Sequence, residues 1–211
     1  MLEELKEANQ YIKSKIEILQ KDGILAEIEE DAEVNGVPIV TPEVAEYLRF
    51  TVESYGLKSI LEIGTATGYS GIILARAAAK SGGTLTTIEI DEARYKTAQE
   101  NFKKSELKNV NSIFGDASEV LEKLEGEYDF VFIDASKGQY MDFFKKSYNM
   151  TKKGGIIFID NIMFRGYLYK EYPKRFKTIV KKLDIFIEEL YKNYNFVLLP
   201  FGDGVGLVRK I

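Results

Sequence analysis

Residues 59–70, with the sequence SILEIGTATGYS, decide how this chain folds. A short apolar run, 59–63, leads into a turn that contains Gly64 and Gly68, and a helical stretch follows. A run of this length that ends at a glycine is typical of a buried strand. The segment therefore predicts a strand–turn–helix unit whose turn lies at the carboxyl edge of a sheet, where open α/β sheets bind their ligands.

The same alternation continues towards the end of the chain. Four more apolar runs each precede an amphipathic stretch: TLTTIEI (84–90), VNSIFG (110–115), YDFVFID (128–134) and GIIFID (155–160). Strands that alternate with helices predict a mostly parallel sheet with helices on both faces. The last two runs, FVLLP (196–200) and VGLVR (205–209), are joined by Gly202-Asp203-Gly204, which predicts a hairpin and an antiparallel last strand.

The first 54 residues follow a different pattern, because they have helical spacing without strands. Residues 1–20 predict an amphipathic helix, 24–35 a second helix that stops at Asn35-Gly36, and Thr41-Pro42 the start of a third helix through Ser54. We therefore expect one doubly wound α/β domain over 1–211, with a seven-stranded core at 58–211 and an N-terminal helical extension at 1–54.

The composition excludes several kinds of chemistry. The 211 residues contain no cysteine and no histidine, which excludes disulfides, zinc–thiolate sites, cysteine nucleophiles and imidazole catalysis. Any metal must be held by oxygen ligands, which favour magnesium, calcium or manganese. A general base must be a carboxylate, lysine or tyrosine. Because no run of 18 apolar residues exists and the first 20 are not signal-like, we expect a soluble, cytoplasmic protein without a membrane partner.

Charge is distributed unevenly along the chain. Residues 1–62 carry 14 acidic against 6 basic side chains, whereas 137–192 carry 13 basic against 6 acidic, a net of +7. The steepest part is 164–182, with seven basic side chains against Glu171 alone. Such a stretch is either a polyanion-binding face or a solvated lysine-rich helix face, and charge alone does not decide between them.

Acidic residues end the second and third predicted strands. Glu89 follows the glycine turn by about 20 residues, where a carboxylate suits the ribose diol of either NAD or S-adenosylmethionine. Asp116, in Gly115-Asp116-Ala117, could accept from the amino group of an adenine or cap the helix that follows. Because the turn lacks the GxGxxG spacing, a dinucleotide pyrophosphate loop is disfavoured.

The fourth and fifth predicted strands end in Asp134 and in Asp160-Asn161. Two carboxylates and one amide oxygen at adjacent strand ends predict a site for a hard cation, although each residue alone is also a common cap or turn former. Lys137 follows Asp134 by three residues, and a lysine beside a divalent cation loses its proton more readily and can act as a base. It can equally be an ordinary surface lysine.

Together these motifs resemble the class I S-adenosylmethionine-dependent methyltransferases, with their Rossmann-like fold. They are most similar to the metal-dependent O-methyltransferases related to catechol and caffeoyl-CoA O-methyltransferases. The resemblance implies Asp134, Asp160 and Asn161 as Mg²⁺ ligands, with Lys137 as the base and Asp134 reaching both donor and metal. It places these residues at the methyl-donor site: Val40, Glu62, Gly64, Thr65, Gly68, Ser70, Glu89, Ile90, Gly115, Asp116, Ala117 and Asp134.

Four strings, VPIVTPEVAEYL, DASKGQY, DNIMFRG and FGDGVGL, look like the bacterial branch that methylates 5-hydroxyuridine at the wobble position of tRNA. Where catechol enzymes have a histidine after the strand-four aspartate, this chain has Ala135. The branch implies a tRNA anticodon loop as substrate, and Arg165, Lys174 and Arg175 of the basic stretch are the candidates for phosphate contacts. Because relatives in the family are often dimers and the N-terminal helices offer apolar surface, we expect a homodimer. The alternatives are an O-methyltransferase for catechol-like or hydroxycinnamoyl compounds, an NAD-dependent oxidoreductase and a non-catalytic RNA-binding module.

Overall fold

Seven strands form one sheet in the computed structural model, which describes residues 7, 10–16 and 23–211. The strands lie in the order β3-β2-β1-β4-β5-β7-β6, and β7 runs antiparallel to both of its neighbours. Their bounds are β1 (Ser59–Ile63), β2 (Thr84–Glu89), β3 (Val110–Phe114), β4 (Tyr128–Ile133), β5 (Thr151–Ile159), β6 (Asn195–Leu199) and β7 (Val205–Arg209). The predicted doubly wound sheet with a terminal hairpin is confirmed.

Helices follow most of the strands. Their bounds are α1 (Gly23–Asn35), α2 (Pro42–Ser54), α3 (Tyr69–Ala79), α4 (Glu92–Lys104), α5 (Ala117–Lys123), α6 (Tyr140–Met150) and α7 (Lys177–Asn193), with 3₁₀ turns at Lys137–Gln139 and Lys174–Phe176. Of the helix predicted over 1–20, residues 7 and 10–16 are helical and the others lie outside the described residues. No helix in the described part of the chain is long and apolar enough to cross a membrane.

One strand is longer than its sequence indicates. β5 begins at Thr151, whereas the apolar run predicted a start at 155. Lys152 to Gly155 form an irregular part of this strand, in which the register against β4 shifts and Gly154 adopts φ 82°. The amide of Gly154 donates to the carbonyl of Lys210, so this polar segment is held by the chain that follows β7.

The sheet separates two apolar clusters. On one face α1, α2 and α3 pack around Ile60, Phe130 and Phe158; on the other, α5, α6 and α7 pack around Leu61 and Val131. Because the chain runs outwards from β1 in one direction and from β4 in the other, the carboxyl ends of these two strands border the crevice at which such sheets bind ligands.

Candidate active site at the carboxyl edge of the sheet

A cavity of about 480 Å³ lies at this edge of the sheet. Its wall combines the ends of the first four strands with the loop after β5 and with residues 38–40 of the N-terminal extension. The predicted site residues that line it are Val40, Gly64, Thr65, Ser70, Glu89, Ile90, Gly115, Asp116, Ala117, Asp134, Lys137, Asn161 and Arg165. The predicted residues that meet in this one space therefore come from six separate segments of the chain.

Five predicted site residues do not form part of this wall. Glu62 and Asp160 are almost fully buried beside it, and Gly68 lies below it at the start of α3. Lys174 and Arg175 are exposed on the 3₁₀ turn before α7. Glu62 and Asp160 are therefore buried next to the cavity, whereas Lys174 and Arg175 lie away from it on the surface.

The two glycines of the turn are required by the protein itself. A Cβ at Gly64 would lie 2.0 Å from the carbonyl oxygen of Asp134, because β1 and β4 approach closely there. Gly68 has φ 92°, and a Cβ on it would press on the ring of Phe102. The two glycines therefore make room for β4 and α4.

Glu62 organises the turn from below. Its carboxyl accepts hydrogen bonds from the hydroxyls of Ser70 and Thr87, each at 2.6 Å, and Thr65 donates to Thr87 in turn. Full burial raises the pKa of Glu62 to about 7, against the opposing effect of these two hydrogen bonds. Glu62 thus ties β1, β2 and the first turn of α3 together.

Glu89 and Asp116 both bind backbone amides and still face the cavity. One oxygen of Glu89 accepts from the amide of Ala66 and the other from that of Asp91, each at 2.8 Å. A carboxylate oxygen has two lone pairs, so each can accept a further hydrogen bond from a ligand hydroxyl. Asp116 caps α5 by accepting from the amide of Ser118 at 2.7 Å, so the helix-cap interpretation and a ligand role are compatible.

Acidic side chains crowd the other end of the cavity. Asp134 and Asp160 lie at the ends of neighbouring strands, and Asp203 reaches the same region from the β6–β7 hairpin. Burial, reinforced by the charge of Asp134, raises the pKa of Asp160 to about 7. Burial likewise raises the pKa of Asp134, against the opposing charge of Lys137.

These residues fit a hard divalent cation by their chemistry. The carboxylates of Asp134 and Asp160 and the amide of Asn161 are oxygen donors, and a cation would relieve the cost of burying two negative charges together. The Asn161 side chain donates from its nitrogen to Asp134 at 3.2 Å, so ligation would need its amide oxygen to turn inwards. In the described part of the chain, no group of three acidic side chains is placed to hold a metal ion. A site here would therefore depend on the amide of Asn161 in addition to the two aspartates.

Lys137 borders the acidic end. Its ammonium lies 5.9 Å from the ring centroids of both Tyr140 and Phe164, which form an aromatic pocket around it. Tyr140 is fully buried and donates its hydroxyl to the backbone carbonyl of Asp160 at 2.8 Å. The lysine is therefore held at the cavity by aromatic faces and by the nearby carboxylates.

The basic stretch 164–182 lies outside the cavity apart from its first members. Arg165 is exposed at the rim, and Arg175 stacks on Phe176 with its guanidinium 4.8 Å from the ring centroid. The other basic side chains of the stretch, Lys170, Lys174, Lys177, Lys181 and Lys182, are exposed. This matches the pattern of a solvated basic face beside the cavity.

Sequence reasoning missed some wall residues. Tyr69 lines the cavity, and its hydroxyl donates a hydrogen bond to Glu29 of α1. This bond connects the N-terminal extension to the glycine turn after β1. Phe164 and Asp203 were not assigned to the site, because an aromatic residue and a turn-forming aspartate carry no distinctive signal by themselves. Asp203 lies in the glycine-rich hairpin turn, which indicated only a change of direction.

Comparisons with known proteins agree with this geometry. A family model described as O-methyltransferase matches residues 10–211. The chain is 32% identical to tapetum-specific methyltransferase 1 of Arabidopsis thaliana, covering all of this chain and 86% of that protein. It is 33% identical to a catechol O-methyltransferase of Niastella koreensis, covering 72% of this chain and 71% of that one. The crystal structure of an O-methyltransferase from Bacillus cereus in complex with SAH superimposes with a TM-score of 0.84 at 26% identity over both complete chains.

Proposed function

The chain belongs to the O-methyltransferase family and is an S-adenosylmethionine-dependent transferase, and from this premise we propose that it methylates one of two vicinal hydroxyls on a small aromatic acceptor. The observation that carries the proposal is the single cavity, which joins a donor-type end at Glu89 and Asp116 to an acidic end at Asp134 and Asn161. Its volume of about 480 Å³ is in the range of small-molecule sites.

The donor end would hold S-adenosylmethionine. The free lone pairs of Glu89 suit the two ribose hydroxyls, and Asp116 suits the adenine amino group. Val40 and the turn from Gly64 to Ser70 close the remaining side. The donor carries its methyl group on a sulfonium sulfur. Transfer of the methyl group leaves a neutral thioether, so this leaving group needs no proton from the protein.

The acidic end would hold the acceptor through a hard divalent cation, with Mg²⁺ as the first choice. Asp134, Asp160 and Asn161 would hold the ion, which when bound lowers the pKa of the attacking hydroxyl and orients both vicinal oxygens. With its side chain in the neutral amine form, Lys137 would take the proton that leaves the hydroxyl, since its terminal nitrogen borders both the carboxylates and the cavity. Phe164 would cover the acceptor ring and exclude water.

A second acceptor class has one specific observation in its favour. The exposed basic stretch 164–182 begins with Arg165 at the rim of the cavity, where the phosphates of a tRNA anticodon loop could lie while 5-hydroxyuridine enters. 5-Hydroxyuridine presents vicinal O5 and O4 atoms, so the same chemistry would serve. The catechol and caffeoyl-CoA names of the relatives favour the small-molecule acceptor.

One assay separates the two acceptors. Labelled donor is supplied with either a set of 3,4-dihydroxy aromatic compounds or tRNA that lacks the modification, with Mg²⁺ or with chelator. We expect Mg²⁺-dependent label in the dihydroxy compounds and none in compounds with a single hydroxyl. Efficient labelling of tRNA, with the dihydroxy compounds ignored, would reject the small-molecule proposal in favour of the second.

A further inference from the structure

The loop that follows β5 has an unusual backbone. Three non-glycine residues in residues 161–166, which we call the β5 loop, lie in the left-handed region: Asn161 (φ 55°), Phe164 (φ 47°) and Arg165 (φ 58°). This conformation is unfavourable for residues with a side chain and persists only where the surroundings enforce it. Something outside the loop must therefore fix its shape.

The turn between β6 and β7 supplies the hydrogen-bond acceptors. The amide of Met163 donates to the backbone carbonyl of Asp203 at 2.9 Å, and that of Ile162 donates to the carbonyl of Gly204 at 3.0 Å. The amide of Arg165 donates to both carboxylate oxygens of Asp203, each at 2.6 Å. Asp203 thus holds the loop twice, once by its main chain and once by its side chain.

The turn itself cannot shift easily. A Cβ at Gly204 would lie 2.3 Å from the side chain of Met163, and one at Gly202 would lie 2.8 Å from Val44 on α2. Next to it, Phe201 packs edge-on against Tyr47 of the same helix, with 5.4 Å between ring centroids. The turn is therefore a rigid template that is anchored to the N-terminal extension.

The β5 loop carries the parts of the site that face the acceptor. Asn161 belongs to the candidate cation set, Phe164 lies against the ammonium of Lys137, and Arg165 forms the rim. We propose that Asp203 is a positioning residue, whose carboxylate fixes the β5 loop by accepting from Arg165 and so sets the geometry at the acceptor end. For the acceptor, this inference rests on the proposed function.

The carboxylate of Asp203 has a second property, its charge, which must be separated from its hydrogen bonds. It lies close to the buried carboxylate of Asp160, so the two like charges repel each other. The inference is that the position of the oxygen atoms matters and that the charge does not. Asparagine keeps an oxygen in place without charge, whereas glutamate keeps the charge and displaces the oxygens.

The experiment compares three variants, Asp203→Asn, Asp203→Glu and Asp203→Ala, with Asp184→Ala as a control on the exposed face of α7. Hydrogen–deuterium exchange reports on the amides of residues 161–166, calorimetry reports donor affinity, and steady-state kinetics reports kcat and KM for a 3,4-dihydroxy aromatic acceptor. In the alanine and glutamate variants we expect faster exchange at Arg165 and a fall in kcat/KM of about 100-fold, with donor affinity unchanged within about twofold. The asparagine variant should recover most of both properties.

Three results would overturn the inference. The first is unchanged exchange at Arg165 in the alanine variant, and the second is loss of donor affinity in parallel with acceptor turnover. The third is activity in the glutamate variant together with inactivity in the asparagine variant, which would assign the role to charge. If the wild type methylates no dihydroxy compound, the proposed function fails, while the exchange data still decide whether Asp203 holds the loop. If the alanine variant does not fold, the asparagine and glutamate variants make the same comparison.

Discussion

The two ends of the cavity differ in how their charges are satisfied. At the donor end, Glu62, Glu89 and Asp116 each accept hydrogen bonds from hydroxyls or backbone amides of the turn and helices around them. At the acidic end, Asp134 and Asp160 lie close enough to raise the cost of ionisation, and one lysine opposes them. The donor end is complete by itself, whereas the acidic end is not.

This difference follows from the order of the chain. The donor end is built from consecutive strand–turn–helix units, and its hydrogen bonds join neighbouring strands, as between Glu62 of β1 and Thr87 of β2. The acidic end needs β4, β5 and the hairpin at the far end of the sequence, and it concentrates like charges. We therefore expect the donor end to bind its ligand without metal, and the acidic end to work only with a divalent cation.

The largest effect is expected when the acidic end loses a charge. Asp160→Asn preserves the oxygen that accepts from the amide of Asn161, so the local fold should survive. We expect kcat/KM to fall by about 1,000-fold or more, because the variant loses one of two carboxylates that would hold the cation. Steady-state kinetics with a dihydroxy acceptor and calorimetry with the donor measure the two ends separately.

Asp184→Asn, an exposed residue on α7, is the matched control and should behave as wild type. A variant at Asp160 that keeps full turnover would show that the acidic end needs no second carboxylate. Equal losses of turnover and donor affinity would show that the two ends are not independent.

The next effect concerns the buried acid of the donor end. Since the pKa of Glu62 is raised from its ordinary value of 4.5 to about 7, its folded form binds a proton more tightly than its unfolded form. Its contribution to stability is full below pH 4.5 and is lost as the pH rises through 7, by up to about 3 kcal/mol. Glu62→Gln should remove this part of the loss of stability with rising pH.

Chemical denaturation in chelator measures the free energy of unfolding of wild type and variant between pH 5 and 8. The difference between the two curves isolates the contribution of Glu62 from that of the other buried acids. A wild-type curve that falls no faster than the variant curve would contradict the assignment. Glu119→Gln, on the exposed surface of α5, should leave the pH dependence unchanged.

A smaller effect is expected for donor recognition. Glu89→Gln removes a charged acceptor from the donor end and should weaken S-adenosylmethionine binding by about 1.5–3 kcal/mol, the usual loss for hydrogen bonds to a charged group. Calorimetry in chelator measures this without any contribution from the acidic end. Unchanged affinity would remove Glu89 from the donor site, and Glu92→Gln, exposed at the start of α4, serves as the control.

The smallest effect is expected outside the cavity. Replacing Lys174 and Arg175 together by alanine should change kcat/KM for a dihydroxy acceptor by less than about twofold, because both side chains are exposed and lie off the wall. With tRNA as acceptor, the second candidate predicts a salt slope reduced by about 2. A salt series with both acceptors distinguishes these outcomes, and equal loss of both activities would assign the two residues a structural role.

The sequence predicted the donor end more completely than the acidic end. Each strand that builds the donor end finishes in a recognisable turn, so spacing placed Gly64, Glu89 and Asp116 at strand ends, and the family resemblance assigned them to a methyl donor. Asp134 and Asp160 could also be placed, because each follows a buried apolar run. How deeply Asp160 is buried depends on packing by several elements, and no local pattern carries that information.

Long-range contacts explain what was missed. The link from Asp203 to Arg165 joins residues 38 positions apart, so no local pattern indicates that the hairpin turn contacts the left-handed backbone of the β5 loop. The start of β5 was missed for a similar reason, since Thr151 pairs with Tyr128 of β4 and the amide of Gly154 donates to Lys210, which follows β7. Both features depend on the assembled sheet.

Metal removal tests the central claim most directly, which is that the donor end is complete and the acidic end requires a divalent cation. Donor affinity and turnover of a dihydroxy acceptor are measured on the same wild-type protein in excess chelator and again after Mg²⁺ is restored. The account predicts donor affinity unchanged within about twofold in chelator, with turnover lost and then recovered with Mg²⁺. Full turnover in chelator, or loss of donor binding there, would contradict it.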